Sequence, residues 1–361
     1  MTGTGTARPA PSLPTFLDAL RAGDRDRALS TVSALRDQGV PTLRLLDELV
    51  SPAQRRVGQL WAEDRLSVAE EHAATAVSEA VIAALAERHP TPGAVPHAAP
   101  GAVRQPAPTG RRSPAAAPVI VACVEHEWHA VPALILSEFL RADGLPVSYV
   151  GANASAAQLV RLVHDTGPVA VALSCSLGAT LPRARRQVEA IRETGTPVIV
   201  GGSAFDRAGR RAVAIGANGY AADARQAAAL VRSLPAAVPP ADPLTSAAAE
   251  EAVVISADRE RLAELVRARM DRLCPDADPT TAWRDTLADQ LGYLVGCVAG
   301  ALLCEDPAVL QEALDWAAEV TRVRGAGRGT ALALRTALAD ALREHPAATA
   351  LLASLGSLPD A

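Results

Sequence analysis

Lysine is absent from the 361 residues, so all 35 cationic side chains other than histidine are arginines. Catalysis through a lysine Schiff base and nucleotide binding through a lysine-dependent phosphate loop are both excluded on that ground. Cysteine is scarce. Cys123, Cys175, Cys274, Cys297 and Cys304 are odd in number, scattered and set among apolar neighbours, which suits buried thiols in a reducing cytoplasm and argues against a disulfide framework. There is no basic surplus: the formal net charge is −5, so nucleic acid is not expected as a partner. Residues 1–14 are mainly Thr, Gly, Ala and Pro without an apolar core, and neither a secretion signal nor a membrane anchor is expected there. The longest strongly apolar run, residues 291–304, falls short of the roughly 20 residues that span a bilayer. It reads as a buried helix, and the expectation is a cytoplasmic protein with no membrane partner.

What is present is a chain with 49% hydrophobic and 21% charged residues, enough for two or three ordinary globular domains. Residues 1–12 read as a disordered leader. Over 13–89 the apolar residues Phe16, Leu17, Leu20, Ala28, Val32, Leu35, Leu43, Leu46, Leu49 and Val50 recur at helical spacing. Gly23-Asp24 and Gly39-Val40-Pro41 punctuate them, and Ser67-Val68-Ala69-Glu70 has the form of a capping box. The segment is expected to be a four-helix bundle, its last helix running from Ser67 to about Arg88. Residues 90–117, rich in Pro, Ala and Gly, are expected to be an extended linker. In 118–235, short apolar runs at 119–124, 147–150, 169–174, 198–200 and, weakly, 219–221 alternate with helical stretches at 133–142, 156–164, 183–192 and 207–215. Such βα repetition predicts a flavodoxin-like five-stranded parallel sheet with helices on both faces, whose ligands bind beyond the carboxyl ends of the strands. Residues 236–251 read as a second linker. Over 252–361 the chain is expected to be all-helical, with helices at 257–273, 280–304, 308–323, 330–344 and 347–355. The fold class is therefore α/β with flanking all-α domains.

Trp61 is followed at fixed distance by Glu71-His72 inside the helical segment, a pattern suited to a lid over a large flat cofactor. At the mouth of the α/β domain lies Glu127-Trp128-His129-Ala130-Val131-Pro132. There an imidazole can coordinate a metal while the carboxylate two residues earlier takes the other ring N–H and sets the tautomer. The segment fits a D/E-x-H-x-x-G pattern with Pro132 in the glycine place. His126 is the rival ligand, but it would put Val124 in the carboxylate place and His129 in the small-residue place. Ser174 ends the third strand and Gly201-Gly202 follow the fourth.

On these residues, with Leu140-Arg141, Gly144-Leu145-Pro146 and Tyr149-Val150-Gly151, the stretch from Val119 to Asp223 resembles the cobalamin-binding domains of methionine synthase and of the light-sensing adenosylcobalamin-dependent repressors. The resemblance implies adenosylcobalamin with His129 beneath cobalt and Glu127 behind it. It also implies a nucleotide tail passing Ser174 and the pair Gly201-Gly202. Where that family has S-x-L this chain has Ser174-Cys175-Ser176, which leaves a tail contact at Ser176 open. The match to the repressors extends to Trp61, to Leu66-Ser67-Val68-Ala69-Glu70 and to Glu71-His72. It implies that Trp61 covers the adenosyl group, Glu71 touches it, and His72 takes its place on cobalt once light breaks the cobalt–carbon bond.

The order of bundle, α/β domain and helical domain is similar to that of the photocobilins, which implies a globin-like C-terminal domain holding biliverdin. Gly292, Gly296 and Gly300 recur every fourth residue and offer a groove to a flat tetrapyrrole or to another helix. Arg322, Arg324 and Arg328 suit bilin propionates or a solvated helix end. Cys274, Cys297 and Cys304 suit covalent attachment or simple burial. The resulting expectation is a photoreceptor rather than an enzyme, whose light-driven change alters its conformation, its homo-oligomeric state or a signalling partner. A corrinoid shuttle for a methyltransferase is the alternative.

Overall fold

The structure is a computed structural model that describes residues 9–87, 117–275 and 281–356. The expected leader is described only from residue 9, where Ala10–Ser12 form a 3-10 turn. The expected linker over 90–117 lies outside the described residues except for 117.

The N-terminal segment folds as α1 (Leu13–Arg21), α2 (Arg25–Asp37), α3 (Thr42–Leu45), α4 (Ser51–Ala62) and α5 (Val68–Glu87). A π-helical turn, Leu46–Val50, joins α3 to α4, so residues 42–62 make one rod and the unit has four rods. Asp24 caps α2 by accepting from the Arg27 amide at 2.9 Å. At α5 the Glu70 amide donates to Ser67 Oγ at 3.2 Å, while the Ser67 amide donates to Glu70 Oε2 at 2.7 Å. That reciprocal pair is a capping box, and it starts the helix where the sequence pattern places it.

The middle of the chain runs β1 (Val119–Cys123), α6 (Ala130–Ala142), β2 (Val147–Gly151), α7 (Ala156–Thr166), β3 (Ala170–Ser174), α8 (Leu181–Arg192), β4 (Val198–Gly201), α9 (Arg210–Ala214), β5 (Gly219–Tyr220) and α10 (Ala224–Ser233). The strands are all parallel, in the order β2-β1-β3-β4-β5, which makes the gap between β1 and β3 the topological switch point. Along β1 the odd residues Val119, Val121 and Cys123 face α6 and α10, and the even residues Ile120, Ala122 and Val124 face the opposite side. Both faces are covered, so the strands read as unbroken apolar runs. Helix α10 is missing from the sequence expectation, although Asp223, which accepts from the Gln226 amide at 2.9 Å, is a legible N-cap signal.

Helix α6 has two apolar faces. Ala133 and Leu140 pack on the sheet, while Val131, Ile135 and Phe139, spaced by four, enter the core of the bundle. Arg225 adds an ion pair to Asp47 at 2.7 Å and lies over the Phe139 ring at 5.4 Å. The bundle is thus seated on the first helix after the site-bearing loop.

The rest is helical: α11 (Ala247–Ala257), α12 (Arg259–Leu273), α13 (Ala282–Cys304), α14 (Ala308–Val323), α15 (Thr330–Ala341) and α16 (Pro346–Ser354). Helix α11 begins inside the expected linker because the Ala-rich run after Ser246 is strongly helix-forming and Ser246 accepts from the Ala249 amide at 3.2 Å. The extended residues before it are tied down, with Arg192 donating to the carbonyls of Pro239 at 3.0 Å and Pro240 at 3.1 Å. The C-terminal helices share one apolar core with the α7 and α8 side of the sheet. On α13, a Cβ at Gly296 would stand 2.7 Å from Ala179 Cβ, and one at Gly300 would stand 2.5 Å from the Gly178 carbonyl oxygen. Where the sequence left a choice between a tetrapyrrole and close packing, the turn after β3 fills the groove at these two glycines. Arg211, buried on α9, closes the junction by pairing with Asp306 at 2.8 Å and Glu312 at 3.1 Å and donating to the Ala204 carbonyl at 3.1 Å. Helix α13 has 23 residues and is long and apolar enough to cross a membrane, but 67% of its apolar window is buried inside this fold.

Two glycines of one stripe should therefore respond oppositely. Gly300→Ala forces α13 away from backbone and should cost about 1–3 kcal/mol. Gly292→Ala meets only Arg259 Nε, at 4.0 Å, and should gain up to about 1 kcal/mol of helix propensity. Urea denaturation midpoints check both signs.

Candidate functional site

The loop that leaves β1 is held by its neighbours before it presents any chemistry. The Val124 amide donates to the Ser174 carbonyl at 3.0 Å, and the His126 amide to Asn153 Oδ1 at 2.8 Å, with His126 in the left-handed region at φ 65°. These contacts turn Glu127 inward, where it is fully buried. Its Oε1 accepts from the His129 amide at 3.1 Å and lies 2.5 Å from His129 Nδ1. Its Oε2 accepts from the amides of Ser176 at 2.7 Å and Leu177 at 3.1 Å. Burial alone would push the Glu127 carboxyl up. The hydrogen bonds from the His129 ring, the Ser176 amide and the His129 amide outweigh it and hold the pKa below the usual carboxylate value.

His129 stands at the start of α6, its side chain 56% exposed. The Glu127 bond raises its pKa against the opposing effect of burial, and the charge of Glu71 on the bundle contributes to the rise. With Nδ1 committed to Glu127, Nε2 is the nitrogen left for a ligand.

Ser174, Gly201 and Gly202 line a slot of about 160 Å³ between the ends of β3 and β4, closed by Pro132 and Leu136 of α6 and by Ala221 to Ala224. Gly202 has φ +113°, and a Cβ there would stand 2.3 Å from the Cys175 carbonyl oxygen; at Gly201 it would stand 2.9 Å from the Ala221 carbonyl oxygen. Neither position admits a side chain, so the slot is kept open by backbone. Ser176 does not enter it as a side-chain contact. It is used through its backbone, donating to Glu127 and accepting from Ser203 Oγ at 3.0 Å.

On the bundle, His72 Nδ1 lies 2.6 Å from Glu71 Oε2, with the His72 side chain 74% exposed. Thr75 Oγ1 donates to Glu71 Oε1 at 2.9 Å, Gln54 Nε2 donates to Thr75 Oγ1 at 2.6 Å, and Ser78 Oγ donates to Gln54 Oε1 at 2.9 Å. This polar chain orients Glu71. Sequence reasoning missed it because its members lie on α4 and α5 and no local pattern marks them. Trp61, at the end of α4, is half-buried and stacks on Trp316 of α14 with centroids 5.7 Å apart.

The residues offered to a bilin are placed differently. Arg324 donates to the Trp61 carbonyl at 2.7 Å and is committed to the bundle, and Arg322 pairs with Glu319 at 2.7 Å on the surface. Arg328 is exposed. Cys297 and Cys304 are pushed up to about 12 by burial, so at neutral pH they are poor nucleophiles for attachment.

The site combines an imidazole nitrogen set by a buried carboxylate with a backbone-lined slot, on the helix against which the bundle is seated. Residues 117–229 match the family model described as B12 binding domain, and residues 14–86 match a second model of the same description. The chain is a cobalamin-binding protein. No curated protein sequence matches it. Among solved structures, this cobalamin-binding protein is similar to the monomethylamine corrinoid protein of Methanosarcina barkeri, at 14% identity over 63% of this chain and 100% of the other, with a TM-score of 0.48. It is similar to a cobalamin-binding protein of Desulfitobacterium hafniense at 18% identity over 61% and 97%, TM-score 0.30. It is also similar to the methanol:cobalamin methyltransferase complex of Methanosarcina barkeri at 16% identity over 63% and 83%, TM-score 0.30.

The Glu127–His129 pair makes a pH prediction for the protein without cobalamin. The His129 pKa is raised, so its contribution to stability is complete below the ordinary value of 6.5 and is lost as pH rises through the raised one. The Glu127 pKa is lowered, so its contribution is present above the ordinary 4.5 and is lost as pH falls through the lowered one. Titration of the His129 ring by NMR should give a midpoint above 6.5, and Glu127→Gln should move it down. A midpoint that Glu127→Gln leaves in place would refute the pairing.

Proposed function

We propose that this protein is a light sensor that holds adenosylcobalamin between the helical bundle and the α/β domain. The observation that supports the reading is the buried Glu127 carboxylate on His129 Nδ1, at the head of the helix whose Val131, Ile135 and Phe139 enter the core of the bundle that carries Trp61 and the Glu71-His72 pair. When bound, adenosylcobalamin supplies a cobalt–carbon bond that visible light breaks. The remaining work belongs to the chain. His129 Nε2 would serve as the lower ligand, since in the neutral ring Glu127 holds the proton on Nδ1 and leaves the Nε2 lone pair for cobalt. Ser174, Gly201 and Gly202 take the nucleotide tail. Trp61 and Glu71 cover the upper face, and the exposed His72 is the second imidazole available to cobalt. A bundle seated on α6 and moved by a change at its upper-face residues is the two-state element such a sensor needs. Its output is a change in oligomeric state or in a signalling partner, with no turnover of its own.

Biliverdin in the C-terminal helices is the second pigment of this reading. Its address must lie away from Gly296, Gly300 and Arg324, which protein contacts already use. Incubation with both pigments tests it, a red-absorbing band being the expected result; without the band, light sensing is confined to cobalamin.

The decisive measurement is an absorption spectrum of protein reconstituted with adenosylcobalamin in the dark, then illuminated with green light. The sensor predicts a spectral change that His129→Ala alters and Trp61→Ala accompanies with weaker dark binding of adenosylcobalamin. An unchanged spectrum after illumination sinks the proposal. A corrinoid carrier for a methyltransferase predicts instead that methylcobalamin is the working form and that Trp61→Ala leaves dark binding of adenosylcobalamin as it was.

A further inference from the structure

Four tryptophans, three tyrosines and three phenylalanines are all the aromatic residues the chain has, and three of those ten meet at one junction. Trp61 of α4 and Trp316 of α14 stack at 5.7 Å with 22° between planes, and Tyr293 of α13 sets its edge on Trp316 at 5.8 Å and 70°. The Arg324 guanidinium lies over the Trp61 ring at 5.1 Å. It also donates to the main chain of the same turn, to the Trp61 carbonyl at 2.7 Å and the Ala62 carbonyl at 3.3 Å, and pairs with Asp64 at 3.4 Å.

The chemistry of that grip is specific. Helix α4 ends at Ala62, so these carbonyls belong to the last turn, where the Trp61 carbonyl accepts from the Asp64 amide at 3.0 Å and can take a second donor beside the negative end of the helix dipole. A guanidinium answers both needs, and its flat face covers an indole while its edges donate. The Arg324 side chain is only 6% exposed. Ring and backbone of Trp61 are thus held at once by residues from outside the bundle. At the other end of the cluster Tyr293 has its phenol pushed up, by burial first and by the neighbouring Cys297, with the Glu127 charge among the smaller causes.

We propose that Trp316 and Arg324 are positioning residues for Trp61, so that the C-terminal helices determine how firmly the cap tryptophan is held over the cobalamin site. The proposal rests on Trp61 being part of the upper face. It makes the C-terminal helices a latch on the cap: the bundle is seated on α6 at one side and fastened to α14 at the other, and the cap opens only when the Trp61–Trp316 stack separates.

The test measures dark release of adenosylcobalamin from the full chain by exchange against excess hydroxocobalamin, for Trp61→Ala, Trp316→Ala, Arg324→Ala and the Trp61/Trp316 double variant. Trp316→Ala should speed release roughly two- to tenfold, the range of an aromatic pair, and should add nothing in the Trp61→Ala background. Trp316→Phe should recover most of the parent rate, and Arg324→Lys should behave like Arg324→Ala. Near-ultraviolet circular dichroism should lose the same stacked-indole component in Trp61→Ala and Trp316→Ala while the signal of the other aromatic residues persists, whereas general loosening lowers the whole near-ultraviolet spectrum. Should Trp316→Ala prevent folding, Trp316→Phe and Arg324→Lys carry the comparison. If Trp61→Ala speeds release while Trp316→Ala and Arg324→Ala do not, the latch is wrong and the cap reading stands. If the Trp61 and Trp316 effects add, Trp316 acts elsewhere and the latch is again wrong. If Trp61→Ala leaves release unchanged, the upper-face reading fails and the latch falls with it.

Discussion

A fully buried carboxylate is costly unless every lone pair finds a donor, and Glu127 meets that condition with the His129 ring and the amides of His129, Ser176 and Leu177. The rest of the site depends on this one arrangement. The same four contacts orient the imidazole, join the loop after β1 to the loop after β3, and set the mouth of the slot between β3 and β4. A conservative amide at Glu127 would keep the shape yet lose the charge that three amide N–H groups and the imidazole N–H are arranged around.

Close approach of backbone is the second constraint. Gly202 clears the Cys175 carbonyl, and Gly300 clears the Gly178 carbonyl. The two lie on opposite sides of the segment that follows β3, so that segment is pinched between the slot and α13. This explains why the C-terminal helices behave as an extension of the α/β core and not as a separate body, and why a change in their packing has a short path to the site. It also explains why a glycine stripe that could receive a tetrapyrrole receives protein.

The strands, the capping box of α5 and the Glu127-x-His129 pair were legible because each is encoded within a few consecutive residues: short apolar runs, reciprocal capping and the spacing of a carboxylate two residues before an imidazole are local signals. Only residues 247–251 depart from the expected linker, because the composition of that stretch hides the helix propensity of its alanines, which start α11. The polar chain Gln54–Thr75–Ser78 behind Glu71 was not legible, since its members meet only when α4 and α5 pack. The roles of Arg324 and Trp316 were hidden for the same reason, more than 250 residues from Trp61.

By itself the sequence determined the order of folding units, the parallel α/β class and the pairing of Glu127 with His129, because periodicity and short-range side-chain pairing are properties of short segments. Only the tertiary structure decided which face of α6 receives the bundle, what fills the groove on α13, and to what Trp61 is fastened. Those are questions of which distant surfaces come into contact. Their answers depend on volume and on the pairing of buried polar groups, neither of which is written at any one place in the chain.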